Sequence, residues 1–84
     1  MNFTVKWEAA IRHELHELWA VAPDPAAVRV AADTAERLFG IDPFGAGRHL
    51  SEGLWRVDVP PLVINYTIDP DQNEVKITDV FHPA

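Results

Sequence analysis

The apolar positions of this chain change period several times, and each change marks an element. Phe3, Val5 and Trp7 alternate with Asn2, Thr4 and Lys6, a period of two that predicts a strand. The period then lengthens. Ile11, Leu15, Leu18 and Ala22 share one helical stripe with Trp19 beside it, which predicts a helix over residues 7–21. Pro23-Asp24-Pro25 stops that helix. Asp24 is placed to cap a second one, and Pro25 suits its first position, where no amide donor is missed. Val28, Ala31, Ala35 and Leu38 form the second stripe, widened by Ala32 and Phe39, and Gly40 is placed to end it as a C-terminal cap. The short connection implies a helix hairpin, and its alanines allow the two backbones to approach closely.

Residues 40–53 lose all periodicity and read as a loop carrying Gly40, Pro43, Gly45, Gly47 and Gly53. Period two then returns. Trp55, Val57 and Val59 alternate with Arg56 and Asp58. After the Pro60-Pro61 turn, Leu62, Ile64, Tyr66 and Ile68 alternate with Val63, Asn65, Thr67 and Asp69. After the Asp69–Asn73 turn, Val75, Ile77 and Phe81 alternate with Lys76, Thr78, Val80 and His82, with Asp79 interrupting the apolar row. The order βααβββ predicts an α+β fold of two layers. The helix hairpin packs on one face of a mainly antiparallel four-stranded sheet and leaves the other face open. Arithmetic of period two puts Arg56, Val63, Asn65, Thr67, Lys76, Thr78 and His82 on that open face, joined by Asn2, Thr4 and Lys6. Arg48 and His49 lie in the loop that feeds it.

Composition narrows the function classes. The 84 residues are one domain, 1–84, of which 48% are apolar, too many for a disordered tail. The absence of cysteine excludes a disulfide scaffold, a thiolate metal site and a cysteine nucleophile. No apolar run reaches the roughly 20 residues that span a bilayer, and the start shows no basic region followed by an apolar one, so the expected location is the cytoplasm and no membrane partner is expected. Seven Lys and Arg face thirteen Asp and Glu, a net charge of −6. Nucleic-acid binding on that background needs a local basic patch. One is available: Lys6, Arg48, Arg56 and Lys76 fall at or near the open face, while the helices and turns carry most of the acids.

Several motifs invite chemistry and are better read as structure. His13 and His16 stand three apart rather than four and lack a third ligand, so no metal is expected; His13 and Glu17 suit an exposed ion pair. Gly45-Ala46-Gly47 lacks the Gly-Lys-Ser/Thr ending of a phosphate loop. Trp7, Trp19 and Trp55 sit on apolar rows and are assigned to core packing rather than to base stacking. No cofactor is expected.

The organisation nevertheless resembles a known family. A short strand ends in Trp7-Glu8 and two helices follow; then come Leu38-Phe39, Asp42-Pro43, a glycine-containing loop and Gly53-Leu54-Trp55-Arg56; the chain ends in Tyr66-Thr67-Ile68-Asp69 and Val75–His82. This order is similar to that of the RelE/ParE superfamily of bacterial type II toxins. The resemblance implies a RelE/ParE-like fold and a toxin held inactive by a cognate antitoxin. In RelE-like members it implies mRNA cleavage at the ribosome by basic and aromatic residues of the open face. ParE-like members poison DNA gyrase instead. On the ribonuclease reading Arg56, His82 and Arg48 are the catalytic candidates, and Arg48, Arg56, Lys76 and Asn65 the nucleic-acid contacts. An arginine or lysine would offset charge developing on the scissile phosphate, and a histidine would move a proton. Three departures favour the alternative, a non-enzymatic binder of gyrase or of an antitoxin alone: Val63 stands where the family often has arginine, the chain ends His82-Pro83-Ala84 with no basic and aromatic tail, and the net charge is acidic.

Overall fold

The computed structural model describes residues 2–83. Its elements are β1 (Thr4–Trp7), α1 (Ala9–Val21), α2 (Pro25–Ile41), α3 (Pro43–Ala46), β2 (Arg48–Ser51), β3 (Leu54–Val59), β4 (Leu62–Asp69) and β5 (Glu74–Phe81). The strands form one sheet in the order β1-β5-β4-β3-β2. β1 runs parallel to β5, and the other neighbours are antiparallel. The sheet is therefore five-stranded and mixed, not four-stranded. The added strand comes from the segment expected to be loop. All four residues of β2 are exposed, so it carries no alternation for a period-two search to find.

The helix hairpin covers one face as expected. Asp24 caps α2, accepting from the Ala27 amide at 3.2 Å, with Pro25 at the first helical position. Val28, Ala31, Ala32, Ala35 and Phe39 of α2 are buried against Val57, Leu62, Ile64, Tyr66, Val75, Ile77 and Val80 of the sheet. α1 buries only Ile11 fully, with Leu15 and Leu18 half-buried. Two expected core positions turn outward: Leu38 is 37% exposed, Phe39 taking the buried place, and Trp19 is 43% exposed and stacks on His16. Trp7 and Trp55 pack against the core as expected. Trp7 also donates its indole N–H to Glu36 at 3.1 Å, tying β1 to α2.

The second helix does not stop at Gly40. It runs to Ile41 and is closed by Asp42, whose amide donates to the Leu38 carbonyl at 2.9 Å. The Asp42 side chain then accepts from the Gly45 amide and starts α3, so one residue ends one helix and caps the next. Gly40 keeps an ordinary helical backbone, and its carbonyl accepts from the Phe3 amide at 2.9 Å.

One irregularity decides which side chains reach the open face. In the β4–β5 ladder Asn65 pairs with Asp79 but Tyr66 pairs with Ile77, leaving Thr78 as a bulge. An extra residue inverts every side chain after it. Val80 is thus buried and Phe81 crosses to the open face, the reverse of the expected row. Asp79, the interruption in the apolar row, sits at this bulge.

Candidate functional site

The open face is ordered in rows across the strands. One row runs Arg48, Arg56, Asn65, Asp79; the next runs Asp58, Val63, Phe81; on the other side Thr67 pairs with Lys76, and Lys76 with Lys6. Arg48 and Arg56 stand directly opposite one another, a like-charge pair that costs energy unless each finds another partner. Both do. Arg48 meets the Asp58 carboxylate at 3.2 Å. Arg56 is half-buried, donates its Nε–H to Asn65 Oδ1 at 2.8 Å, and holds its guanidinium carbon 5.4 Å from the centre of the Phe81 ring.

The other two cations are also compensated. Lys6 pairs with Glu74 at 3.2 Å, and Lys76 reaches Glu8, the residue before α1, at 3.5 Å. Three of the four cations assigned to the face thus have carboxylate partners, and among the described residues Arg56 has none. The expected separation of basic sheet and acidic helices does not hold, because Glu8 and Glu74 come to the surface where parity already put Asp58. Such exposed pairs contribute little stability. Their consequence here is electrostatic: the face presents little net positive charge.

The nominated site residues are only partly brought together. Arg56 and Asn65 are in direct contact, and Arg48 is their row neighbour. Lys76 lies in another row, held by Glu8. His82 follows the end of β5, and the bulge gives it the parity of Val80 instead of Lys76. Its Nδ1 lies 3.1 Å from the Pro83 carbonyl, and it lines a shallow pocket with Asp58, Pro60, Pro61 and Val63. No hydrogen bond joins it to Arg56 or Arg48 among the described residues. The tail His82-Pro83-Ala84 is described only to Pro83; Ala84, like Met1 at the other end, lies outside the described residues.

Phe81 is the residue that sequence reasoning misplaced. The bulge carries its ring to the open face under Arg56, one position before His82. The signal was Asp79, a carboxylate where an unbroken strand would need an apolar residue.

Tyr66 lies on the core side, as its parity requires, and is fully buried. Its hydroxyl donates to the Pro43 carbonyl at 2.8 Å, and its ring packs 4.3 Å from that of Phe39. Burial, with a smaller contribution from Asp42, pushes its pKa up to about 12 against the lowering effect of a Gly47 backbone hydrogen bond. It is a strut beneath the face, not an acid or base upon it. Among the described residues no three His, Asp or Glu side chains converge as metal ligands, and no helix is long and apolar enough to cross a membrane.

This arrangement coincides with a known architecture. A chain in the crystal structure of the toxin–antitoxin complex RelBE2 from Mycobacterium tuberculosis superposes with a TM-score of 0.83, at 22% sequence identity, over 99% of this chain and 100% of that one. This is the RelE-type fold. No family model matches the sequence, and no curated protein does. The RelE-type fold therefore rests on three-dimensional order, in which the helix hairpin backs the sheet and the row of Arg56 faces outward.

Proposed function

We propose that this chain is the toxin member of a bacterial toxin–antitoxin pair and that it acts by binding a protein target, not by cutting RNA. The toxin assignment rests on the match over the full length of both chains to a component of the RelBE2 toxin–antitoxin complex. Its natural partner is then a cognate antitoxin, lying across the sheet or the helix pair as an added strand or helix. The mode of action rests on the charge pairing of the open face. A surface that tracks RNA must neutralise several phosphates, and non-specific affinity grows with each one. Here Glu8, Asp58 and Glu74 occupy the cations that would do so. A general base hydrogen-bonded to a face arginine is also missing among the described residues.

One observation supports the other reading, ribosome-associated mRNA cleavage: Arg56 stands uncompensated on the face with an aromatic ring beneath it. On that reading Arg56 would stabilise phosphate charge, with Arg48 and Lys76 as nucleic-acid contacts and His82 as the proton carrier. The two readings separate on induced expression in a bacterial host with pulse-labelling of protein and DNA synthesis. The protein-binding reading expects DNA synthesis to fall first, as for a gyrase poison. Translation stopping first, with the effect abolished in a folded Arg56→Ala variant, would favour cleavage. Undisturbed growth with folded protein would overturn the toxin assignment in that host.

A further inference from the structure

We propose that Phe81 is the positioning residue of the open face, and that with Asn65 it holds Arg56 as a receptor for a single carboxylate of a protein partner. The inference rests on the protein-binding reading above and gives that site its ligand chemistry.

A guanidinium has five N–H donors in a fixed plane. In Arg56 one is used, the Nε–H bonded to Asn65 at 2.8 Å. The other four have no protein acceptor among the described residues. Long side chains lose rotamer freedom when they bind, which weakens association. Arg56 has given up much of that freedom already, since Asn65 fixes its inner edge and the Phe81 ring lies at 5.4 Å. The ring's quadrupole attracts the cation without neutralising it. The result is an oriented, charged fork whose free donors match a carboxylate edge to edge.

The surroundings select among anions. Val63 and the Phe81 ring give the fork apolar neighbours on one side; the Asp58 carboxylate at the far end of that row is held by Arg48, and Asp79 lies beyond Asn65 in the row of Arg56. Arg48, the other cation in the row, is paired with Asp58. One free arginine beside apolar surface suits one acidic residue in an otherwise apolar segment. It does not suit a backbone with a phosphate at every step. Arginine on an aromatic ring is also the kind of anchor that dominates protein interfaces.

The test follows the Arg56 Nε–H resonance by 15N NMR in the wild type and in Phe81→Leu and Phe81→Trp, with the remaining amide spectrum reporting the fold. Sodium acetate, inorganic phosphate and a ten-nucleotide oligouridylate are titrated in turn. Acetate is expected to shift the Arg56 signal saturably, with affinity weakened about two- to fivefold in Phe81→Leu and restored in Phe81→Trp. Oligouridylate is expected to bind no tighter than phosphate. An Arg56 signal and acetate affinity unchanged in a folded Phe81→Leu would overturn the positioning role while leaving the protein-binding reading standing. Oligouridylate binding at least about tenfold tighter than phosphate, with shifts spreading to Lys6, Arg48 and Lys76, would overturn both in favour of RNA.

Discussion

Tyr66 and Gly47 form the joint on which the site is mounted. The Tyr66 hydroxyl reaches the first residue of α3, and a Cβ added at Gly47 would come within 2.6 Å of that hydroxyl and closer still to the Arg56 carbonyl. Only glycine lets the chain pass there on its way into β2. Gly47→Ala is therefore expected to destabilise the fold by about 1–3 kcal/mol. Gly40→Ala, where the nearest atom to a new Cβ is 3.8 Å away within a helix, is expected to stabilise it by about 0.5–1 kcal/mol. Thermal melts of the two variants should move in opposite directions. The phenol makes a prediction of its own. Its folded pKa, about 12, lies above its ordinary value of 10.0, so the folded state holds the proton more tightly than the unfolded one. Its contribution is whole below pH 10 and is lost as pH rises towards 12, to the extent of roughly 2–3 kcal/mol. Chemical denaturation from pH 9 to 12 should show this loss, and Tyr66→Phe should remove it.

The two long helices and the strands with an alternating row were legible in the sequence, and the four-residue α3 and β2 were not. The two helix stripes and the apolar rows of β3 and β4 were readable because burial imposes a period, and the Asp24-Pro25 cap because its side-chain acceptor and fixed proline backbone suit a helix start. β2 is an edge strand with every residue exposed, so nothing in Arg48–Ser51 alternates. Gly40 looked like a helix end because glycine favours that place, but Asp42 supplies a better one, and local propensity yielded to it. The Thr78 bulge had the largest functional consequence. By shifting parity it moved Val80 inward and Phe81 outward, and so changed the chemistry of the face from a row of polar groups to an arginine on an aromatic ring. Arg56 and Asn65 were found by arithmetic alone because β3 and β4 keep their register where the two meet. His82 was displaced from that arithmetic by the same bulge.

For the molecule as a whole, charge is the deciding quantity. A protein of net charge −6 repels nucleic acid at a distance, and only a concentrated patch could reverse that. The sequence offered four cations for such a patch, and the fold brings carboxylates to three of them. Those carboxylates come from elsewhere in the chain: Glu8 from the start of the helix hairpin, Glu74 from the first residue of β5, Asp58 from the strand of Arg56 itself. Parity along β3 already put Asp58 on the face, but the pairings of Glu8 with Lys76 and of Glu74 with Lys6 are invisible to a count of residues along the sequence. The shared RelE-type fold fixes the scaffold and leaves the chemistry to these side chains. Mapping of new RNA ends in cells arrested by induced expression, beside cells expressing Arg56→Ala, separates protein binding from RNA cleavage most directly. If the protein acts by binding a protein target, transcripts stay intact in the arrested cells and Arg56→Ala relieves the arrest. New transcript ends that appear with the wild type and vanish with Arg56→Ala would mean that the protein cuts RNA.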